Sequence, residues 1–206
     1  LDLPFFENKI IDDSRLLKSL PTIKLLLEKN CKILIIGHRG RPAGIEDKYT
    51  LRPVYLELMS LLEPNGENLI ESVFVPEINF EQIDQALAVN NIVFLENIRF
   101  WLGEEENSSD FLSPLSSFCQ AYVNDAFAVA HRTHASITLW QHLPSFYGLS
   151  FLDEYNHLDS LRNPLRPLTL ILGGAKEDKL KHLDKLIPHC DHILIGGKLP
   201  QLLSLK

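Results

Sequence analysis

The sequence predicts an α/β fold of three layers, a parallel sheet with helices on both faces, followed by a shorter second α/β segment. Three observations predict this class. Strand-length apolar runs alternate with helix-length amphipathic segments, and the connections between them are short. The apolar runs also lack polar alternation, which is typical of parallel strands that are covered on both faces.

Six short apolar runs indicate the strands, and the segment over residues 32–36 has the clearest pattern. There Lys32 is followed by apolar residues as far as Ile36, without a polar residue between them. The strands are predicted over residues 32–36, 72–75, 91–95, 121–123, 168–172 and 192–195.

Apolar residues at helical spacing predict the helices. They cover residues 16–30, 80–88, 110–118, 152–161 and 178–186, and a further helix runs from an N-cap at Thr50 to residue 62. Asn79 is the predicted cap of the helix over 80–88. Pro53 fits the first turn of its helix, whereas Pro21 predicts a kink in the first helix or a start near that residue.

We expect an incomplete two-domain chain. Residues 1–150 are assigned to the first α/β domain, 151–166 to a hinge helix and a proline-containing linker, and 167–206 to the start of a second domain. Two strands with one or two helices bury too little apolar surface for a core, so the second domain is expected to be cut off. Because the chain opens at Leu1 without a methionine, a truncated start is expected as well.

Composition excludes several classes of protein. The formal net charge of −7 argues against nucleic-acid binding as the main role. The apolar runs are too short for a membrane helix, and no signal peptide is visible. The cysteines Cys31, Cys119 and Cys190 have no metal-ligand spacing and are interpreted as buried, reduced thiols. The expected protein is a cytoplasmic monomer without nucleic-acid or membrane partners.

Cationic residues follow four of the predicted strands, at the point where each strand ends. They lie in the segments 38–41, 97–99, 131–134 and 173–179. The carboxyl ends of parallel strands share one edge of a sheet, and ligands bind in the crevice there. Arginine forms two parallel hydrogen bonds to phosphate or carboxylate. The spacing therefore predicts a site for a small molecule with several negative charges.

Other interpretations of these residues stay open. Basic residues after strands can be solvated loop charges. His131 and His134 could be a metal pair, although no Cys, Asp or Glu lies at a supporting spacing. Trp101 and Trp140 are interpreted as packing residues rather than a stacking platform. The run Glu104-Glu105-Glu106 is interpreted as a solvated acidic turn.

Several segments, in the same order along the chain, resemble the motifs of phosphoglycerate kinase. They are residues 12–15, 38–42, 95–100, 103–105, 123–136 and 172–176. That family is a longer two-domain α/β kinase. Its N-terminal domain binds 3-phosphoglycerate or 1,3-bisphosphoglycerate, its C-terminal domain binds Mg-ADP or Mg-ATP, and a phosphoryl group passes between the acyl phosphate and ADP. The resemblance implies the same glycolytic reaction for the parent protein and little activity for this fragment alone.

The resemblance also implies roles for individual residues. Those on the phosphoglycerate side are Asp2, Arg15, His38, Arg39, Gly40, Arg41, Arg99 and Arg132. Those on the nucleotide side are Gly173, Gly174, Lys176, Lys179, Gly196 and Gly197. Arg15, Lys176 and Lys179 are the implied catalytic residues, with Arg15 close to the transferred group. Magnesium is implied only as part of the nucleotide, and its ligands are expected outside this chain.

Three differences from the family pattern support an alternative function. Asp2 stands where the family has asparagine, Arg39 replaces an apolar residue, and the spacing from Lys176 to Lys179 is one residue shorter. On a helix, one residue rotates a side chain by about 100°. The alternative is a non-catalytic relative that keeps the fold to bind an anion or a protein partner.

Overall fold

A computed structural model of the protein describes residues 2–7, 9–66, 69–175, 180–181 and 183–203. The chain divides into two compact units, Leu1–Tyr155 and Asn156–Lys206. Each unit combines helices with parallel strands, which confirms the predicted α/β class.

The central sheet of the first unit has three parallel strands, with the fifth strand in the middle. The strands of this unit are β1 (Phe5–Phe6), β2 (Lys9–Ile10), β3 (Ile33–Ile35), β4 (Ser72–Val75), β5 (Ile92–Leu95), β6 (Tyr122–Asn124) and β7 (Ser145–Tyr147). The order of the central sheet is β3–β5–β4. β6 and β7 form a separate parallel pair, and β1 and β2 form an antiparallel pair.

Local sequence signals explain where the longer helices begin. The helices that start in this unit are α1 (Ser14–Glu28), α2 (Arg52–Leu62), α3 (Phe80–Val89), α4 (Leu102–Glu105), α5 (Ser109–Phe118), α6 (Ala135–Thr138) and α7 (Leu149–Asp159). The Asn79 side chain accepts the Gln82 N–H at 3.0 Å, which confirms the predicted cap of α3. Pro53 lies in the first turn of α2 as expected. α1 continues through Pro21 and does not start there.

Both faces of the central sheet are buried. In β5, Ile92 and Phe94 pack into a core cluster with Leu16 of α1 and Leu58 of α2. The alternate residues Val93 and Leu95 pack into a second cluster that contains residues of α3, α5 and α6. Successive side chains of a strand point to opposite faces, so this central strand is covered on both sides. The predicted three-layer arrangement is confirmed.

The second unit contains one parallel strand pair and short helices. Its elements are β8 (Thr169–Leu172), α8 (Leu183–Leu186), β9 (His192–Ile195) and α9 (Leu199–Leu203). Leu170 pairs with Ile193, and Ile171 pairs with Leu194. Of the predicted helix over 178–186, residues 178, 179 and 182 lie outside the described residues, and α8 covers the end of the range.

Some expectations from sequence are wrong in detail. Trp101 packs against the core, but Trp140 is 57% exposed and is not a packing residue. Cys31, Cys119 and Cys190 are unpaired but only half-buried. Among the described residues, none of the helices has both the length and the apolar character needed to cross a membrane.

Candidate functional site

A buried amide joins the loops that follow β3 and β5. Asn97 is fully buried, and its Oδ1 accepts the backbone N–H of Arg39 at 3.3 Å and that of Arg99 at 3.2 Å. Its Nδ2 donates to the carbonyls of Arg39 at 2.8 Å and Tyr49 at 3.0 Å. Because β3 and β5 are parallel neighbours, both loops leave the same edge of the sheet. The predicted meeting of these loops is confirmed.

Gly40 links the two loops to the start of the chain. Its N–H donates to Asp2 Oδ1 at 2.9 Å, and its carbonyl accepts from Arg99 Nη1 at 2.6 Å. Its φ is +63°, and a Cβ at this position would overlap the ring of Tyr49. Only glycine satisfies both conditions without strain. The position therefore requires glycine for the backbone path that connects Asp2 with Arg99.

Arg99 is a buried cation with spare donors. Its side chain is 4% exposed, and Nε lies 3.4 Å from Glu105 Oε1. Within the described residues, Nε and Nη2 have no hydrogen-bond partner. Burial lowers the pKa of Arg99, and the charge of Arg132 acts in the same direction. Buried donors without acceptors cost free energy. The guanidinium is thus well suited to donate to an anion that enters the site.

Arg39 makes contacts inside the protein. Its guanidinium carbon lies 3.3 Å from the centroid of the Phe5 ring, and Nη1 donates to the Thr50 carbonyl at 3.1 Å. Burial lowers the pKa of Arg39. These contacts fasten β1 to the loop after β3 through a cation–π interaction. The implied role of Arg39 in substrate binding stays a prediction.

The remaining predicted arginines differ in how they are held. Arg15 Nη1 donates to the Asp2 carbonyl at 2.5 Å, so this exposed side chain reaches the Asp2–Gly40 link. Arg41 is exposed and Arg132 is half-buried. In the part of the chain that the structure describes, neither side chain forms a hydrogen bond or an ion pair. Both are therefore available to a ligand.

The pKa of His38 responds to charges carried by two other loops. Burial lowers the pKa of His38 to about 3, and the charges of Arg99 and Arg132 act in the same direction. His38 follows β3, Arg99 follows β5 and Arg132 follows β6. The imidazole is therefore neutral at physiological pH. A site lined by three cationic loops carries a positive potential that favours a multiply charged anion.

The acidic run after β5 is not a solvated turn, so that interpretation is wrong for one of its residues. Glu104 is 2% exposed, whereas the Glu105 side chain is 56% exposed. The Glu104 carboxylate accepts the Ser136 N–H at 2.8 Å and the Ser136 hydroxyl at 2.7 Å. His134 Nδ1 lies 3.6 Å from the same carboxylate. Burial lowers the pKa of His134, while the charge of Glu104 opposes that change.

Two further carboxylates, the buried Glu96 and the half-buried Asp125, were missed by reasoning from the sequence. Glu96 Oε1 accepts the N–H groups of Leu51 at 2.7 Å and Asn97 at 2.6 Å, and its Oε2 accepts the Thr50 hydroxyl at 2.5 Å. Asp125 accepts the Thr22 hydroxyl at 2.7 Å and the backbone N–H of Phe151 at 2.9 Å. The available signal was position, because each carboxylate comes directly after a strand.

The predicted nucleotide glycines meet at the ends of β8 and β9. The Gly196 N–H donates to the Leu172 carbonyl at 2.9 Å, and the Lys198 N–H donates to the Gly174 carbonyl at 3.0 Å. Gly197 has φ +67°, and a Cβ there would lie 2.6 Å from the Gly174 oxygen. The structure thus brings the glycine pairs 173–174 and 196–197 together. Lys176 and Lys179 lie outside the described residues.

The histidines after β6 were a candidate metal pair. Among the described residues, no group of three or more His, Cys, Asp and Glu side chains is placed to hold a metal ion. His131 is exposed, and His134 lies against Glu104. Within the described residues, His134 therefore contacts the buried Glu104 carboxylate and is not part of a metal-binding group.

A family model described as phosphoglycerate kinase matches residues 1–205. The chain belongs to the phosphoglycerate kinase family. It is 40% identical over 200 residues to a phosphoglycerate kinase of Coprothermobacter proteolyticus, a match that covers 93% of this chain and 49% of that protein. It is 37% identical over 197 residues to the cytosolic phosphoglycerate kinase of Triticum aestivum, with 92% and 47% covered.

Solved structures agree with this family. The phosphoglycerate kinase of Coxiella burnetii superposes with a TM-score of 0.79 at 29% identity, covering 96% of this chain and 50% of that one. That of Pyrococcus horikoshii OT3 superposes with a TM-score of 0.83 at 28% identity, covering 100% and 53%. The chain spans about half the length of the curated phosphoglycerate kinases it matches.

Proposed function

We propose that this chain binds phosphoglycerate at the cationic site of its first unit. The reaction served is the glycolytic transfer of a phosphoryl group between 1,3-bisphosphoglycerate and ADP, which gives 3-phosphoglycerate and ATP. One observation carries the proposal: Asp2, Gly40 and Arg99 are hydrogen-bonded in series, and Arg99 keeps buried donors without acceptors in the described residues. Such donors gain most from a charged acceptor in a water-poor site.

The residues around this link divide the work on the substrate. Arg41, Arg99 and Arg132 offset its phosphate and carboxylate charges, and neutral His38 adds a hydrogen-bonding group. Arg15 lies next to the transferred group and offsets the charge that develops on the phosphoryl oxygens. The complete proposed set on this side is Asp2, Arg15, His38, Arg39, Gly40, Arg41, Arg99 and Arg132.

The second unit takes the nucleotide side of the reaction in this proposal. Gly173, Gly174, Gly196 and Gly197 let the backbone approach the phosphates of ATP or ADP closely, as their meeting at the strand ends supports. Lys176 and Lys179 neutralise the charge on the nucleotide. Magnesium enters with the nucleotide as part of the substrate. Phosphoryl transfer then needs both substrates in line with water excluded.

We propose that the 206 residues bind phosphoglycerate but catalyse little phosphoryl transfer, because they span about half the length of the relatives. The proposed setting is the cytoplasm, in agreement with the wheat relative that is named cytosolic. The protein is proposed to be a monomer. Small molecules are its proposed partners.

Calorimetry with 3-phosphoglycerate tests this proposal directly. The wild-type chain should bind it, and binding should weaken as the salt concentration rises. Arg132→Ala should weaken binding by about tenfold or more, because a charge-assisted hydrogen bond is lost. Arg162→Ala is the matched control, since Arg162 is a largely exposed cation paired with Asp159. Equal binding by the wild type and Arg132→Ala would remove Arg132 from the site, and ordinary turnover in a coupled kinase assay would contradict the fragment proposal.

A non-catalytic anion-binding or interaction protein is the second candidate. Arg39 favours it, because this cation is occupied by Phe5 and Thr50 and its neighbour Gly40 contacts the Asp2 carboxylate. A carboxylate close to the site repels an anionic substrate. A fusion of this chain to the C-terminal half of a relative distinguishes the two candidate functions. Kinase turnover by the fusion supports the enzyme. Binding of 3-phosphoglycerate without turnover supports the non-catalytic protein.

A further inference from the structure

The buried carboxylate of Glu104 connects the two segments that carry Arg99 and Arg132. Glu104 lies in α4, directly after the turn that contains Arg99. It accepts both the N–H and the hydroxyl of Ser136, at 2.8 and 2.7 Å. Ser136 lies in α6, directly after the segment that contains Arg132. The carboxylate is thus a bridge from one cationic segment to the other.

Charge alone does not explain why this group is buried. Removing a carboxylate from water costs several kcal/mol in general, and Glu104 is 2% exposed. His134 Nδ1 lies 3.6 Å from its carboxylate, and burial lowers the pKa of that imidazole. The charge of Glu104 also acts on Arg99, but burial and three other charges affect the pKa of Arg99 more. A full ion pair with His134 therefore does not offset the burial. The two hydrogen bonds from Ser136 are the contacts that the buried carboxylate makes instead.

A second link holds the same two segments together. The Thr138 hydroxyl of α6 donates to Asn107 Oδ1 at 2.6 Å, and Asn107 follows α4. Ala135 and Leu139 pack in the same core cluster as Ile98. The segments are therefore in contact through apolar packing, and the polar bridges fix their register.

We propose that Glu104 is a positioning residue for the anion site, which holds the Arg132 segment against the Arg99 segment through Ser136. It does not contact the ligand itself. Arg99 and Arg132 repel each other. Their segments must therefore be held together in the empty site before an anion can bind between them. This inference rests on the proposed function of the site, since it assigns a task to Glu104 in binding phosphoglycerate.

The sign of one measurement separates positioning from simple electrostatics. Glu104→Gln keeps the shape of the side chain and removes a negative charge that acts on Arg99. If Glu104 acted only through its charge, the variant would bind 3-phosphoglycerate more tightly. If it positions the arginine segments, the variant binds more weakly, and we expect a loss of about tenfold.

Two further variants calibrate this result. Glu106→Gln makes the same charge change on an exposed residue at the end of the same helix. The affinity of this variant for 3-phosphoglycerate should stay at or slightly above the wild-type value. Ser136→Ala removes the hydroxyl but keeps the N–H bond, so a smaller loss of about threefold is expected. Calorimetry with 3-phosphoglycerate measures all three against the wild type. Unchanged or tighter binding by Glu104→Gln overturns the proposal.

Nuclear magnetic resonance tests Glu104 independently of the ligand. In Glu104→Gln, backbone amide signals should move in both segments, 97–100 and 131–136, and the pKa of His134 should fall because Glu104 raises it. Glu106→Gln should leave the amide signals of residues 131–136 in place. If the wild type does not bind 3-phosphoglycerate, the proposed function fails, and these signals still decide the role of Glu104. Unmoved signals in residues 131–136 overturn it.

Discussion

The two predicted binding regions of this chain are built in opposite ways. In the first unit, buried side chains hold the loops, with Asn97, Glu96 and Glu104 each fixing backbone groups of a neighbouring segment. In the second unit, backbone groups form the contact between the described glycines, since Gly197 lies so close to the Gly174 carbonyl that no Cβ fits between them. One region depends on the presence of side chains and the other on their absence.

This difference reflects what each region has to hold. Converging arginines repel one another and lose hydration, so their loops need buried acceptors and donors at fixed positions. A turn that approaches a phosphate through backbone N–H groups needs space and a positive φ instead. We therefore expect the first region to fail when a polar group is deleted and the second when a methyl group is added.

The largest expected effect follows deletion of the amide that joins two loops. Asn97→Ala leaves the carbonyls of Arg39 and Tyr49 without their donor in a buried place, and it removes an acceptor from two N–H groups. We expect a loss of about 3 kcal/mol in the free energy of unfolding, measured by urea titration. The exposed Asn65→Ala is the control and should change it by less than about 0.5 kcal/mol. A loss of less than about 1 kcal/mol for Asn97→Ala would contradict the role given to this amide.

A smaller effect is expected from adding a methyl group in the second unit. Gly197→Ala places a Cβ at 2.6 Å from the Gly174 oxygen at a φ of +67°, so the β8–β9 pair should lose about 1–3 kcal/mol of stability. Gly196→Ala is the matched control, because open space surrounds that position and its φ is not positive. Amide hydrogen exchange of the two strands measures both. Equal exchange rates in the two variants would show that the glycine contact does not control this unit.

The long elements of the fold could be predicted because their patterns extend over many residues. The strand at 92–95 and the helix capped by Asn79 are examples, since burial on both faces and a capping side chain leave direct traces in the sequence. β1, β2 and β7 were not predicted. Each has two or three residues, too few for a period to be visible, and its pairing depends on distant partners.

The candidate site was predictable as a set of cations but not as a structure. Arg99 could be found because cations after the parallel strands β3 and β5 meet at one edge of their sheet, whereas Arg132 follows β6, which pairs with β7 in a separate sheet. The burial of Glu104 could not be predicted, since charge by itself predicts exposure and its partner Ser136 lies on another segment. The role of Asn97 was missed for the same reason, because an amide in a loop gives no sign of which carbonyls it will meet.

The smallest expected effect concerns the pH dependence of the first region and isolates His38. The folded-state pKa of His38 is about 3, mainly because of burial, and in the unfolded chain it is about 6.5. Between these values the unfolded chain takes up a proton that the folded chain does not, so His38 makes stability fall as pH decreases from about 6.5 towards 3. His38→Gln lacks this proton uptake. Its Tm should therefore fall less steeply than that of the wild type over the same range.

Thermal unfolding at several pH values, followed by circular dichroism, gives the comparison. Hydrogen bonds lower the pKa values of three carboxyl groups, Asp12, Glu46 and Asp191. Their contribution to stability is lost in acid in both proteins, so it cancels when the two Tm profiles are compared. His142→Gln is the control, because this exposed histidine follows a different turn, and its Tm profile should follow the wild type. Parallel profiles for His38→Gln and the wild type would mean that His38 takes up its proton in the folded chain as readily as in the unfolded one. His38 would then be exposed to water, and the charges of Arg99 and Arg132 would have little effect on it.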